Sequence, residues 1–259
     1  TYHCSEYRGI NSMKHKKIKV AILAITAIAA LGGILYSQFG TKKSYDYTDY
    51  YVESKSTTNN TNDKEASEKE LSLPLLKQTN KDVVGILVFD DRVIYEPIVQ
   101  APNNDFYVRR NIEKQYTNAG IPFISANCNI DSQNVVIYGH SSKWSNIIFT
   151  PLMSYIDENY YQKHPTFEFI TENDTRTYKI FDVMNIDLNN LNDSLEFTQS
   201  SWDTSNEFNA FISDSINRGL YKTGETATSN DKLMTLVTCD TRDNNKRIVV
   251  LDKQIDQKS

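Results

Sequence analysis

The feature that most constrains the fold is a strand, a short polar loop and a second strand over residues 233–251. Residues 234–238 are apolar and β-branched, which is typical of a buried strand. Residues 248–251 form a second apolar run, and residues 240–246 between them are too polar and charged to bury. If the two runs pair antiparallel, Cys239 ends the first strand and Arg247 begins the second at the same end of the sheet. Alternation then places Arg247, Val249 and Leu251 on one face.

A thiol and a guanidinium at the mouth of a strand pair have two interpretations. An unpaired cysteine usually behaves as a small hydrophobe, and the arginine beside it is then a surface residue. Nucleophilic catalysis is the other interpretation, because the thiolate is the reactive form and nearby cations favour it. Cys4, Cys128 and Cys239 are odd in number and widely spaced, which argues against a disulfide framework and against a zinc site. These residues alone leave both interpretations open.

The run T-L-V-T-C at 235–239, followed by Arg247, resembles the T-L-x-T-C…R signature of sortases, the cysteine transpeptidases of Gram-positive surfaces. The family's other essential residue is a histidine in the middle of the chain, and Y-G-H at 138–140 supplies it in the expected order. The resemblance implies that Cys239 is the nucleophile and His140 the general acid/base. It implies that Arg247 stabilises the oxyanion or the substrate, and that no cofactor or metal is needed.

Three further residues compete for these roles. His164 precedes Pro165 in a linker, which favours a solvated surface histidine. Cys128 lies in a polar run with no arginine or histidine beside it, which favours a structural role. Arg242 lies within the polar loop with nothing apolar next to it, so its side chain should sample many rotamers.

The chain before residue 82 is predicted to be an anchor and a stalk. Residues 1–12 precede a Met-Lys sequence at Met13 that is typical of a protein start. They could be non-native residues or the product of translation from an upstream start, and they are excluded from the fold prediction. A lysine cluster assigns residues 1–19 to the cytoplasm, and the charge-free run 20–41 is long enough to span a bilayer as a helix. A cleaved signal peptide is the alternative. Residues 42–81 form a polar stalk and an N-terminal helical segment, with residues 54–63 mobile and a helix from residue 66 that Pro74 breaks.

Residues 82–259 are predicted to form a mainly β catalytic domain. Helical spacing appears at 149–161 and 205–218, and the predicted strands cover 83–89, 93–100, 121–125, 134–138, 166–171, 175–186 and the two runs that flank Cys239. Eight short, mostly antiparallel strands favour a closed barrel. This count agrees with the eight-stranded β-barrel that the resemblance implies. The helix between strands six and seven and the segment 84–100 are similar to class B sortases.

The function implied by the resemblance is that of a membrane-anchored enzyme with its catalytic domain outside the cell. It would cleave a sorting motif near the C-terminus of secreted proteins after Thr and form a thioester on Cys239. A cell-wall peptide amine, as in a peptidoglycan precursor, would then accept the protein, and residues 20–41 would contact membrane lipid. A net charge of −5 without a basic stripe argues against nucleic acid. Two alternatives stay open: a surface cysteine peptidase in which water resolves the thioester, and a non-enzymatic anchored receptor or adhesin barrel.

Overall fold

The computed structural model describes residues 45–54, 68–190 and 195–258. The predicted cytoplasmic segment 1–19 and anchor 20–41 lie outside the described residues, as does most of the predicted mobile segment 54–63. Within the described ranges, no helix combines the length and the apolar character that crossing a bilayer requires.

Ten strands and three α-helices make up the described part of the chain. The strands are β1 (Tyr51–Ser54), β2 (Glu68–Leu71), β3 (Val83–Phe89), β4 (Tyr95–Gln100), β5 (Phe123–Ile124), β6 (Asn134–Tyr138), β7 (Thr166–Ile170), β8 (Thr175–Asp187), β9 (Leu233–Cys239) and β10 (Lys246–Lys258). The α-helices are α1 (Leu73–Thr79), α2 (Glu158–Lys163) and α3 (Ser205–Arg218). Short 3-10 helices cover Thr48–Tyr50, Asp90–Arg92, Tyr107–Arg109 and Thr150–Ile156.

The strands β3 to β10 close into a barrel in the order β10-β8-β7-β3-β4-β5-β6-β9. Neighbouring strands run antiparallel except for the pairs β4–β5 and β6–β9, which are parallel. β1 and β2 form a separate antiparallel pair. The predicted mainly β, eight-stranded barrel is therefore confirmed, and its closure pairs the strand edges that an open sheet would expose.

Aromatic residues fill much of the core. The rings of Phe89 and Phe167 stack at 4.5 Å, and those of Phe167 and Tyr178 stack at 5.5 Å, so one column of rings crosses β3, β7 and β8. The helix predicted over 205–218 is confirmed as α3, which begins with a capping box of Thr204 and Glu207. Its buried face carries the apolar residues Phe208, Phe211 and Ile212.

Two local predictions are wrong. Pro74 does not break a helix but lies in the first turn of α1, where Ser72 is the N-cap. A proline is tolerated there because its missing N–H would have no partner in the helix. The segment 149–161 is not one helix: a 3-10 helix ends at Ile156, and Asp157, in an extended conformation, caps α2 by accepting a hydrogen bond from Asn159 N.

Candidate active site

Cys239 and Arg247 face each other at one end of the barrel. Cys239 is the last residue of β9, and it is the direct partner of Arg247 in the antiparallel ladder with β10. The adjacent hydrogen bond joins Asp240 N to Lys246 O at 3.0 Å. Cys239 and Arg247 are therefore a non-hydrogen-bonded pair of the ladder. In such a pair the Cα atoms are about 4.5 Å apart and the two side chains lie on the same face of the sheet. The predicted return of both residues to one end is confirmed.

His140 reaches the same level from the other side of β9. β6 runs parallel to β9 with Tyr138 opposite Val237. Gly139 N donates to Val237 O at 3.1 Å, and Thr238 Oγ1 donates to Gly139 O at 2.8 Å. The register therefore runs past the end of β6, and His140, two residues after Tyr138, lies level with Cys239. Cys239 and Arg247 thus lie on the adjacent strands β9 and β10, and His140 lies just beyond the end of β6, the neighbour of β9 on the other side.

The turn at Gly139 leaves no room for a side chain. A Cβ added there would lie 2.5 Å from the ring of Phe149. Phe149 N in turn donates to His140 O at 3.0 Å and closes the loop that follows β6. Ser141 Oγ donates to Cys239 O at 2.5 Å, so the same loop is tied to the backbone of the candidate nucleophile.

The imidazole of His140 is oriented by a backbone carbonyl. Its Nε2 lies 2.9 Å from Val108 O. Because a carbonyl oxygen can only accept, Nε2 carries the hydrogen in this contact. In the neutral ring Nδ1 is then the nitrogen without a hydrogen, and it is the one that can take up a proton.

The guanidinium of Arg247 is buried, with only 5% of the residue exposed. Nη1 donates to Asn244 O at 2.9 Å and to Lys246 O at 2.7 Å. Nη2 is also buried, and it finds no hydrogen-bond acceptor within the described ranges. An unsatisfied buried donor is uncommon and calls for an explanation. One explanation is that Nη2 donates its hydrogen bond to a bound substrate.

Arg242 is not the loosely held side chain that its sequence context predicts. Its Nε and Nη2 lie 2.9 and 2.6 Å from the two carboxylate oxygens of Asp240, a residue that is almost fully buried. Burial opposes ionisation of Asp240, but hydrogen bonds from Arg242 and Asn185 outweigh it and lower the pKa of that carboxyl. The prediction of free rotation is wrong because the buried carboxylate was not foreseen.

His164 and Cys128 lie in different surroundings from the three site residues. His164 is half-buried and its ring packs on Tyr160 at 4.5 Å, so the prediction of a solvated histidine is wrong. His164 lies just before β7, whose first residue pairs with Lys179 on β8, and Lys179 pairs in turn with Lys253 on β10. Lys253 is six residues beyond Arg247, or about 20 Å along β10. His164 therefore lies at a different level of the barrel from Arg247.

Cys128 is buried, as a structural cysteine should be. Its Sγ lies 3.4 Å from Ser125 O and accepts from Val136 N at 3.4 Å. Burial raises the pKa of this thiol and favours its protonated, unreactive form.

Sequence reasoning missed the segment Tyr107–Arg109. Val108 supplies the carbonyl that orients His140, and Arg109 is the next residue in the chain. Burial lowers the pKa of Arg109, while negative charge on Tyr116 and Cys239 acts to raise it. The segment is far from both site residues along the chain, so no spacing rule could have found it. Within the part of the chain that the structure describes, no group of three or more His, Cys, Asp or Glu side chains could hold a metal ion.

Comparison with known proteins identifies the family to which the chain belongs. A family model described as a sortase domain matches residues 98–254, more than half of the chain. The chain therefore belongs to the sortase family, whose members are cysteine transpeptidases.

The relatives belong to one class of that family. Sortase B of Listeria monocytogenes is 26% identical over 172 residues, which cover 64% of this chain and 66% of that protein, just under two thirds of its length. Sortase B of Staphylococcus aureus is 23% identical over 184 residues, covering 70% of this chain and 73% of that protein. The crystal structure of Clostridium perfringens sortase B superposes with a TM-score of 0.65 at 27% identity, covering 71% of this chain and 100% of that one. The predicted similarity to class B sortases is confirmed.

Proposed function

We propose that this protein cleaves a sorting motif of secreted proteins after Thr and transfers them to a cell-wall peptide amine. The observation that carries the proposal is the placement of Cys239 and Arg247 as partners on β9 and β10, with His140 just beyond the end of the neighbouring strand β6. Membership of the sortase family supports it independently.

The chemistry needs two acyl transfers. The Cys239 thiol gives its proton to Nδ1 of His140, Sγ of the resulting thiolate attacks the Thr carbonyl carbon, and a tetrahedral oxyanion forms. The C–N bond then breaks, the carbonyl stays on sulfur as a thioester, and His140 gives a proton to the leaving amine. In the second transfer an acceptor amine attacks the thioester, His140 takes its proton, and the thiolate leaves.

The protein's own groups divide this work. Val108 O holds Nε2 of His140, so the proton moves through Nδ1. Arg247 donates to the oxyanion through Nη2, while Nη1 stays on the loop carbonyls. A donor that is held in place before the reaction stabilises charge without paying for reorganisation in the transition state.

The location of the enzyme is part of the proposal. The lysine cluster before residue 20 and the charge-free run 20–41 support a single membrane pass through lipid, with the N-terminus in the cytoplasm and residues 82–259 outside. Protease added to intact protoplasts should digest the chain beyond residue 41. Protection of that part would reverse the orientation.

The central experiment is mass spectrometry of the full-length protein in detergent with sorting peptides and a peptide amine. The wild type should yield an acyl-enzyme that hydroxylamine releases, and an amine adduct of the peptide. Cys239→Ala should yield neither, whereas Cys128→Ala, the matched control, should yield both. Hydrolysed peptide without amine adduct would favour the peptidase, and peptide binding without cleavage would favour the receptor barrel.

A further inference from the structure

The 3-10 helix Tyr107–Arg109 supplies the carbonyl that orients His140, and a buried hydrogen-bond network holds this helix in place. We propose that this network, centred on the Tyr107 hydroxyl, positions the Val108 carbonyl and so fixes the orientation of the His140 imidazole. The inference rests on the role proposed above for His140. It adds positioning residues that the T-L-x-T-C…R signature does not include.

The hydroxyl of Tyr107 joins two residues that lie between α1 and β3. It donates to Asp82 Oδ2 at 2.6 Å and accepts from Asn80 Nδ2 at 2.8 Å. The same amide nitrogen donates to Ile112 O at 2.9 Å, and Asn80 Oδ1 accepts from Asp82 N at 3.0 Å. Tyr107 and Asn80 are both buried. Removing the hydroxyl would therefore deprive a buried N–H group of its acceptor, which costs more than the net value of one hydrogen bond.

Asp82 ties the network to the barrel. Its backbone carbonyl accepts from Gln100 N, at the end of β4, at 2.9 Å. Its carboxylate forms an ion pair of 2.9 Å with Lys114. Burial by itself would raise the pKa of this carboxyl, but hydrogen bonds from Tyr107 and Lys114 lower it. Asp82 is therefore a charged acceptor at neutral pH, and such an acceptor holds a hydroxyl more strongly than a neutral one does.

Gly120 confines the same segment from its other side. Its φ of +66° lies in the left-handed region that glycine adopts without strain. A Cβ at this position would lie 2.5 Å from Val108 O and 2.8 Å from Tyr107 O, so the two stretches of backbone are in close contact. The Val108 carbonyl is thus held between this contact and the Tyr107 hydroxyl, at 2.9 Å from His140 Nε2. The hydrogen bond on one ring nitrogen determines how the other is presented, here Nδ1.

Tyr107→Phe is the decisive variant, because it removes the hydroxyl and keeps the ring. Tyr155 offers a matched control. It is a buried tyrosine whose hydroxyl donates to a backbone carbonyl, that of His164, at 2.9 Å. Tyr155→Phe therefore removes one hydroxyl from the same domain and leaves the contacts of Tyr107 intact.

The first measurement is the exchange of the Nε2 hydrogen of His140 with water, followed by NMR of the full chain in detergent with isotopically labelled histidine. The chain has four histidines, and His140→Gln identifies the signal. At about pH 8, above the usual pKa of imidazole, we expect Tyr107→Phe to accelerate this exchange about tenfold, because the hydrogen bond to Val108 O opens more often. Tyr155→Phe should exchange as the wild type does.

Single-turnover acylation by a sorting peptide is the second measurement. Tyr107→Phe should slow acylation at saturating peptide by about ten- to a hundredfold with little change in KM, since a misplaced group reduces the rate without weakening substrate binding. Tyr155→Phe should acylate at close to the wild-type rate.

Asp82→Asn provides a second variant of the network if Tyr107→Phe does not fold. It keeps an acceptor oxygen for the Tyr107 hydroxyl but removes the charge. Exchange of the His140 Nε2 hydrogen should then lie between the rates of the wild type and of Tyr107→Phe, or above the wild-type rate where only that comparison can be made.

Two results would overturn the inference. One is exchange in Tyr107→Phe, or in Asp82→Asn, that coincides with exchange in Tyr155→Phe. The other is slower acylation in Tyr107→Phe with unchanged exchange, since the hydroxyl would then act by a route other than His140. Exchange does not depend on sorting peptides, so its outcome separates from the proposed function. A wild type that never acylates, yet loses protection of the Nε2 hydrogen in Tyr107→Phe, would refute the transpeptidase and keep the positioning network.

Discussion

Replacement of Arg247 by alanine gives the sharpest test of the site. Arg247 is buried opposite Cys239, and its Nη2 is a donor without an acceptor within the described ranges. Removing one preorganised donor to an oxyanion costs about 10²–10³ in turnover, or roughly 3–4 kcal/mol of transition-state stabilisation. We expect that loss in Arg247→Ala.

The same substitution also has a structural cost that can be worked out separately. Two hydrogen bonds from Nη1, to Asn244 O and Lys246 O, disappear. At about 1 kcal/mol each, unfolding should become easier by about 2 kcal/mol. A loss of that size leaves most small domains folded, so turnover can still be measured on native protein.

Arg247→Lys distinguishes a directed donor from a charge. An ammonium group is a single point of positive charge, whereas the guanidinium fork can hold the loop carbonyls and an oxyanion at once. Lysine should therefore recover only part of the activity.

The assay is single-turnover acylation of Cys239 by a sorting peptide, with urea unfolding in parallel. Arg242→Ala is the control, because its guanidinium binds Asp240. The reasoning is refuted if Arg247→Ala acylates at the wild-type rate while Arg242→Ala is inactive.

Three other predictions address the surroundings of the site. Arg242→Ala should destabilise the fold by about 1–3 kcal/mol in urea titration, because the buried carboxylate of Asp240 loses its main partner. Turnover should change no more than a few-fold, and an unchanged unfolding midpoint would contradict this prediction. Burial raises the pKa of Asp182 from 3.8 to about 7. Between these two pH values the carboxyl of Asp182 is protonated in the folded state and ionised in the unfolded state. The free energy of unfolding is therefore highest below pH 4 and falls as the pH rises to about 7. Asp182→Asn should therefore gain up to about 4 kcal/mol over wild type at pH 8 and far less at pH 4; equal differences at both pH values in urea titrations would refute it. Gly139→Ala should reduce acylation at least tenfold while the unfolding midpoint falls, because its Cβ would meet Phe149 at 2.5 Å and displace His140; full activity would show that the loop can yield.

The sequence by itself determined those elements whose signal is local. β3 and β6 have the predicted bounds because apolar runs of strand length end at polar residues or glycine. α3 begins and ends as predicted because a capping box and Gly219 mark its limits. The antiparallel return of Arg247 to Cys239 could also be foreseen, since only a short loop separates the two strands. The roles of His140, Cys239 and Arg247 came from the resemblance to sortases, not from spacing.

Tertiary structure alone decided which distant segments meet. Barrel closure sets β6 parallel to β9 across about a hundred residues, and this pairing brings His140 level with Cys239. The contact of Val108 with His140 depends on how the loop after β4 folds back over that end. Burial of Asp240 beneath Arg242 is likewise a product of packing. A local sequence pattern predicts which face of a strand is apolar. It does not predict which polar side chain of a distant loop will lie beside the end of that strand, because the position of the loop depends on the pairing of all strands in the closed barrel.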